Sequence, residues 1–409
     1  MRWRDYGTGE AMLTAKTRRA RRRIFATDEN QMHTDEFWVM GRSRDEDVIA
    51  AMPSRGLPAL SVLSQCASAA ELWQNVGMSL YPLKFKPRLL GKMWGGRKIE
   101  TILGKALPLG PIGESWEIYD FPPGVVENSG EWVSSEVAEG PLAGKTLHEL
   151  VGEFGRDLNG SVPLVGKEGQ FPILIKFLDA GQDLSVQVHP DEGYAKANAG
   201  AHLKNEAWFV VQADRGSRIL KGLRPGVTRE SFARAVADGS VEKTINSVEV
   251  KAGDCFYLPS GTVHALGAGI LAAEVQTPSD TTFRVFDFNR VDPSTGKLRM
   301  LHVEQAMKCI DFVGGADGPK PSVGPELVTC DYFRIKRVTL KKGEEVLISG
   351  GEPIVLMFIE GQGQITSGER WKGTEFVCGD TILVPALLRE SIGIASEDSV
   401  WLEVKLGGL

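Results

Sequence analysis

The chain has 409 residues, long enough for more than one domain, and an ordinary soluble composition of 42% apolar and 24% charged residues. A net charge of −6 argues against a nucleic-acid binder driven by bulk electrostatics, and no apolar run approaches the roughly 20 residues that a membrane helix needs. The five cysteines (Cys66, Cys255, Cys309, Cys330 and Cys378) are far apart, odd in number and without a C-x-x-C pair, which fits reduced thiols in a cytoplasm rather than a disulfide framework.

Residues 1–77 stand apart from the rest. They carry a basic run, Arg18–Arg23, a mixed-charge stretch, Arg42–Asp47, and no clear period. No apolar segment follows the arginines, and Asp28, Glu29, Asp35 and Glu36 come soon after, which argues against a targeting peptide. The segment is expected to be a disordered extension, or to come from a start assigned upstream of a natural one at Met78.

From Tyr81 short strands are expected between Gly and Pro turns, as in Gly91–Gly96 and Gly113–Ile118. A helix is predicted over Thr146–Phe154. Residues 172–290 hold β-branched and aromatic runs at the spacing of a sandwich or barrel. Thr228 is placed to cap a helix through Arg229–Asp238 with Gly239 as its stop, and a further helix is predicted over His302–Cys309. A Gly- and Pro-rich linker, 314–325, then leads to a strand-like region, 332–406. Gly253-Asp-Cys-Phe-Tyr-Leu-Pro259 is echoed by Gly379-Asp-Thr-Ile-Leu-Val-Pro385, which suggests a repeated barrel unit. The second copy has no His at the matching place, so only the first is expected to bind metal.

Gln187 and His189 are two apart and share a face if they lie on a strand. Ser185 shares that face, and Lys204 shares the face of Glu206. Singly, each has a bland reading: a solvated glutamine, a structural histidine, an exposed lysine. Together with His264, one of only six histidines, Gln187, His189 and Glu206 offer two imidazoles, a carboxylate and an amide oxygen. That set suits a zinc-like divalent ion with a position left for water or substrate.

Gly253-x5-Pro259-x-Gly261-x2-His264 resembles the second motif of the cupin superfamily. Gly181-x5-Gln187-x-His189 resembles the first, with Gln in place of its first His. Together with Trp94–Gly96, Ile112–Glu117, Gly144–Leu147, Phe171–Phe177 and Ser279–Asp287, these segments make residues 79–406 resemble the type I mannose-6-phosphate isomerases in their short bacterial form. The resemblance implies a mainly β fold of two cupin (jelly-roll) barrels: residues 78–313 with a small helical insertion, and residues 326–409 without a metal site. It implies one Zn2+ per chain on Gln187, His189, Glu206 and His264, and an active-site Arg284. Lys204, Ser185 and Trp94 become substrate-binding candidates, although Trp94 also reads as a core residue. Glu274 and Asp280 become candidates for proton transfer or for orienting Arg284, with Glu117 a weaker one. His148, His202 and His302 read as structural or surface residues. The implied reaction interconverts mannose 6-phosphate and fructose 6-phosphate through a cis-enediolate, with a sugar phosphate as partner and neither nucleic acid nor membrane. A metal-dependent cupin oxygenase, a free-sugar isomerase and a non-catalytic sugar-sensing module are the alternatives.

Overall fold

β-Branched and aromatic runs dominate the sequence after residue 80, and the chain is mainly β. The computed structural model describes residues 36–42, 47–53, 79–126, 129–292, 295–313, 319–322, 324–368 and 371–407. The chain divides into two compact units, Met1–Val76 and Gly77–Leu409. In the first, Glu36–Arg42 and Asp47–Pro53 pair as an antiparallel hairpin, which the aperiodic sequence does not predict. The basic run Arg18–Arg23 lies outside the described residues.

The second unit is built in sheet layers. A six-stranded sheet has the order Cys255–Leu258, Glu206–Ala213, Ile270–Gln276, Leu174–Ala180, Arg88–Gly96, Ile112–Ile118. A five-stranded sheet has the order Ile245–Glu249, Arg218–Leu223, His264–Leu266, Val186–Val188, Phe283–Phe286. Leu178, Trp208, Val210, Phe256 and Ala272 of the first meet Ile219 and Leu266 of the second in one apolar cluster. The outer face of the five-stranded sheet, through Val186, Val188 and Val285, buries Phe232 and Ala306. These belong to helices Arg229–Ala237 and Val303–Cys309. The outer face of the six-stranded sheet, through Ile175, Phe177, Phe209 and Val275, meets Phe333, Val355, Leu402 and Val404 of a second six-stranded sheet. Both faces of Leu174–Ala180 are therefore covered, and all seven of its residues are buried.

The C-terminal region repeats the sandwich. Its six-stranded sheet packs on a four-stranded one around Phe358, Phe376 and Trp401. The repeated Gly-Asp segments adopt the same turn. Gly253 and Gly379 have φ of 88° and 87°, a region where a side chain is strained. Asp254 accepts from Lys251 N, and Asp380 accepts from Val377 N. The chain start of this unit does not stay with its own half. Leu83–Lys84 is the edge strand of the C-terminal sheet beside Thr381–Val384, Thr374 donates to the Pro82 carbonyl at 2.8 Å, and Tyr81 stacks on Trp371.

Three helices lie where the sequence places them. Thr146 and Glu149 form a capping box on Leu147–Phe154. Thr228 caps Arg229–Ala237, which ends before Gly239 at φ 76°. Val303–Cys309 follows His302.

In the C-terminal core the Phe358 and Phe376 rings stack at 3.8 Å, with Trp401 at 5.5 Å from Phe358. Phe358→Ala is expected to lower stability by about 3–5 kcal/mol. Leu347→Ala, at a side chain 58% exposed, should stay within about 0.5 kcal/mol. Urea unfolding of the two variants checks both.

Candidate metal centre and active site

Three adjacent strands of the five-stranded sheet put one residue each in a single row. Gln187 faces His264 on one side and Arg284 on the other, so all three side chains share a face. The flanking Val186 and Val188 point the other way, into the helix-covered core. His189 follows at the strand end. Its carbonyl accepts from Gly261 N at 3.0 Å, which ties the Pro-Ser-Gly turn before His264 to the first motif. Gly261 has φ 83°, and a Cβ there would come within 3.1 Å of the Cys309 carbonyl. Glu206 enters from the six-stranded sheet, between Leu258 and Gln276.

These residues converge. His264 Nε2 lies 3.0 Å from Glu206 Oε1, and His189 Nε2 lies 3.4 Å from Oε2. Lys204 Nζ is 3.0 Å from Oε2, and the Gln187 amide is 3.3 Å from His264 Nε2. Ser185 donates to Gln187 Oε1 at 3.3 Å. His189, Glu206 and His264 are the group of potential ligands brought within 4.8 Å of one another among the described residues.

The imidazole orientations determine what the cluster suits. His189 Nδ1 lies 2.9 Å from the Thr281 carbonyl, and His264 Nδ1 lies 2.9 Å from the Thr262 carbonyl. A carbonyl only accepts, so each Nδ1 carries a proton, and the tautomer this selects turns a bare Nε2 toward Glu206. Burial and the Lys204 charge push the His189 pKa down to about 3, which keeps it neutral. Burial alone would raise Glu206, but the Lys204 ammonium outweighs it and holds the carboxyl well below the usual carboxylate range. Lone pairs thus face an ionised carboxylate. His189 Nε2 and Glu206 Oε1 are buried without a hydrogen-bond partner, and Oε2 has the Lys204 ion pair beside it, a costly arrangement unless a further cation sits among the lone pairs. The donor set therefore fits a divalent metal, with backbone carbonyls as the outer partners that orient such ligands.

Beside this centre runs a row of buried charges. Lys176 Nζ lies 3.3 Å from Glu274 Oε2 and 3.4 Å from Glu114 Oε2. Glu274 accepts from Trp208 Nε1 at 2.9 Å, and Glu114 accepts from Trp116 Nε1 at 2.6 Å. Glu114 also meets Lys92 at 3.1 Å. Burial opposes ionisation of Glu114, yet Lys176 and Lys92 outweigh it and bring the pKa down to about 2. Glu274 is raised, chiefly by burial, with Lys176 opposing and Glu206 adding to the rise. Sequence reasoning missed Lys176 and Glu114. The signal for Lys176 was a charge inside an apolar run, Leu174-Ile-Lys-Phe-Leu178; Glu114, in a strand of mixed polarity, had none.

Arg284 stands next to Gln187 on the neighbouring strand. Its backbone is pinned by His302, whose N–H donates to the Arg284 carbonyl at 2.8 Å. Its Nε is buried without a partner. Burial, and then Arg299, lower its pKa. Asp287, three residues along, holds both Arg290 and Arg299, so two further guanidiniums gather on one carboxylate near Arg284. Arg290 and Arg299 carried no periodic or motif signal in the reading of the sequence.

The remaining candidates separate. Asp280 is exposed at the rim. Trp94 packs in the core with Leu178, Leu184 and Trp208 and is 5% exposed. Glu117 pairs with Lys105 at 3.0 Å and accepts from Ser115. His148 stacks on Trp132, and His302 supports Arg284.

Residues 83–214 match the family model described as phosphomannose isomerase type I, catalytic domain. The chain is 35% identical over 311 residues to mannose-6-phosphate isomerase of Streptococcus mutans, covering 74% of this chain and 93% of the relative. It is 36% identical over 324 residues to mannose-6-phosphate isomerase ManA of Bacillus subtilis, covering 76% and 96%. The crystal structure of mannose 6-phosphate isomerase from Bacillus subtilis matches with a TM-score of 0.68 at 28% identity, covering 80% of this chain and 99% of that one.

If the bare nitrogens and Glu206 hold a metal, His264→Ala and Glu206→Ala should each weaken divalent-ion binding by more than the roughly 10–100-fold typical of an outer partner. Glu114→Gln should leave it unchanged. Competition against a chromogenic chelator measures all three, and equal affinities would reject the assignment.

Proposed function

The chain belongs to the type I phosphomannose isomerases, and we propose that it interconverts mannose 6-phosphate and fructose 6-phosphate in the pocket between the five- and six-stranded sheets. The observation that carries this is the pair of bare imidazole nitrogens facing Glu206, with Arg284 in the same row as Gln187. The ion is taken to be zinc, one per chain, on Gln187, His189, Glu206 and His264; when bound it would polarise the substrate's carbonyl and hydroxyl oxygens as a Lewis acid.

The chain's own residues supply the rest. Arg284 is assigned to the negative charge of the enediolate, because it is half-buried in the same row as Gln187 and His264 and its Nε is left free to donate. Arg290 and Arg299, with Arg284, leave local positive charge for a dianionic phosphate. Glu274 is favoured over Asp280 for proton transfer: its raised pKa moves it toward neutrality and the Trp208 N–H fixes its carboxylate, whereas Asp280 lies at the rim. Lys204 and Ser185 hold Glu206 and Gln187 in place and can reach substrate oxygens from there. Trp94, packed with Leu184 and Trp208, supports the site from the core. A two-His, one-carboxylate set would also serve an iron oxygenase, but the arginine cluster and the family favour the isomerase.

The two sandwiches are read as two cupin-type barrels, residues 78–313 with the helical segments as an insertion and residues 326–409 without a metal site. No described helix is long and apolar enough to cross a membrane, and the four described cysteines are free thiols. We read the enzyme as cytoplasmic, with a sugar phosphate as its partner and no nucleic acid.

Turnover of mannose 6-phosphate in a coupled assay should vanish on chelation and return with zinc. Arg284→Ala should lower kcat by about 10²–10³ with zinc content unchanged, and Arg284→Lys should recover only part of it, since an ammonium lacks the planar fork. A rise in KM alone would instead place Arg284 in uniform binding.

A chain starting at Met78 should fold and turn over like the full chain. Loss of activity or stability on removing residues 1–77 would show that the extension belongs to the enzyme.

A further inference from the structure

Asp287 and the turn that follows it form a feature the reaction described so far leaves without a purpose. Arg290 N donates to the Asp287 carbonyl at 3.0 Å, closing a four-residue turn. Its central residues, Phe288 and Asn289, have φ of 55° and 53° and are the non-glycine residues with positive φ among the described ones. A turn with two left-handed central residues favours Gly, Asn and Asp. Asn289 suits it, but a bulky Phe there is a true outlier. Strain of this kind persists only where the surroundings over-determine it, and it concentrates at functional sites.

The surroundings do over-determine it. The turn folds Arg290 back so that Nη2 meets Asp287 Oδ1 and Nε donates to the Asp287 carbonyl at 3.3 Å. Arg290 Nη1 donates to the Asp183 carbonyl at 2.5 Å, and its guanidinium lies 5.4 Å over the Phe288 ring. Phe288 in turn packs edge-on to Phe286. The Asp287 oxygen so fixed also accepts from Arg299 Nη1 at 3.1 Å. Asp287 is buried, and its Oδ2 has no partner. Arg284 lies three residues before Asp287, on the strand Phe283–Phe286 that runs into this turn, so the carboxylate that holds Arg299 sits at the end of Arg284's own strand, and Arg299 adds to the lowering of the Arg284 pKa that burial begins.

We propose that Asp287, held by the left-handed Phe288–Asn289 turn, is the positioning residue that fixes Arg299 beside Arg284 and thereby sets selectivity for a phosphorylated over an unphosphorylated sugar. This rests on the reading that the arginine cluster receives the phosphate. A guanidinium on a long side chain carries much rotamer freedom, so a carboxylate that locks it in advance reduces the ordering cost of binding. Positioning and plain charge make opposite predictions. Removing the Asp287 charge adds net positive charge to the pocket, which by electrostatics alone would tighten phosphate binding. If positioning dominates, binding weakens.

The experiment compares zinc-loaded wild type with Asp287→Asn, Phe288→Gly and Arg299→Ala. It reads kcat/KM for mannose 6-phosphate over that for free mannose, together with the Ki of inorganic phosphate as a competitive inhibitor. A merely structural lesion lowers both sugars' turnover alike and leaves the ratio in place. Asp287→Asn is expected to lower the ratio by about tenfold, the scale of one charge-assisted hydrogen bond, mainly through KM, with phosphate Ki raised in parallel and zinc content unchanged. Phe288→Gly keeps the carboxylate and a residue that accepts the left-handed φ, but removes the ring that holds Arg290 and packs on Phe286, and should shift both readings the same way by a smaller factor. If Asp287→Asn yields no folded protein, Phe288→Gly decides. Tighter phosphate binding in Asp287→Asn, or a ratio unchanged in both turn variants while Arg299→Ala lowers it, overturns the proposal and leaves the phosphate reading standing. A ratio unchanged in Arg299→Ala as well removes the phosphate from this cluster, and both readings fall.

Discussion

Two imidazole lone pairs cannot rest against an ionised carboxylate without something positive between them. That constraint governs the site. The Thr281 and Thr262 carbonyls take the Nδ1 protons, so both Nε2 atoms are left bare by the backbone itself. The backbone in turn is set by the strand Val186–Val188, the Gly261 turn and the bond between Gly261 and His189. Changing one carbonyl's direction would change a tautomer, and with it the pocket's preference for a cation.

A pocket that concentrates lone pairs needs its other charges paired, and the six-stranded sheet supplies this. Lys176 is shared by Glu274 and Glu114, and Glu114 has Lys92 and an indole N–H besides. Glu114 is therefore the better-satisfied carboxylate and stays ionised, whereas Glu274 has weaker support and feels Glu206, so its pKa rises. One buried cation between two carboxylates of unequal support is a simple way to separate their acidities. Packing makes this arrangement possible: the outer face of the same sheet is sealed by Phe333, Val355 and Leu402 of the C-terminal sheet, which keeps water away from the strand that carries Lys176.

Much of this was legible in the sequence because it is local. Thr146 with Glu149, and Thr228 with Gly239, mark helix ends through bonds within one turn. The period of two puts Ser185, Gln187 and His189 on one face and Lys204 on that of Glu206, whereas Arg284 came from the family motif and its place beside Gln187 from the sheet register. What was not legible is long-range. Leu83–Lys84 pairs with Thr381–Val384 across about three hundred residues, and nothing in its own composition names that partner. The hairpin Glu36–Arg42 to Asp47–Pro53 rests on backbone pairing without an apolar/polar alternation to announce it. Lys176 and Glu114 escaped because period-based reading treats a charge in a strand as solvent-facing, while here both sheet faces are covered. Trp94 shows the converse. Its motif suggested a sugar contact, and its ring lies in the core.

The C-terminal sandwich shows what separates a binding site from a scaffold on one backbone plan. Its Gly379-Asp380 turn copies Gly253-Asp254 down to the φ of the glycine, the carboxylate that accepts from the residue three before it, and the pairing to the neighbouring strand through Phe358 in place of Val210. Five residues beyond the proline, however, stands Glu390, exposed, where the first copy has buried His264. The interior between its sheets is filled by Phe358, Phe376 and Trp401. Aromatic rings in contact leave no room for a cluster of ligands, and they supply the burial that a sheet pair needs to stay folded. The first sandwich gives up some of that packing to hold Glu206, Lys204, Lys176 and Glu274 inside it. The second compensates from behind, through the apolar interface shared by the two six-stranded sheets. Stability and chemistry are thus divided between two copies of one turn-and-strand design, and the division follows from which side chains point into each sandwich.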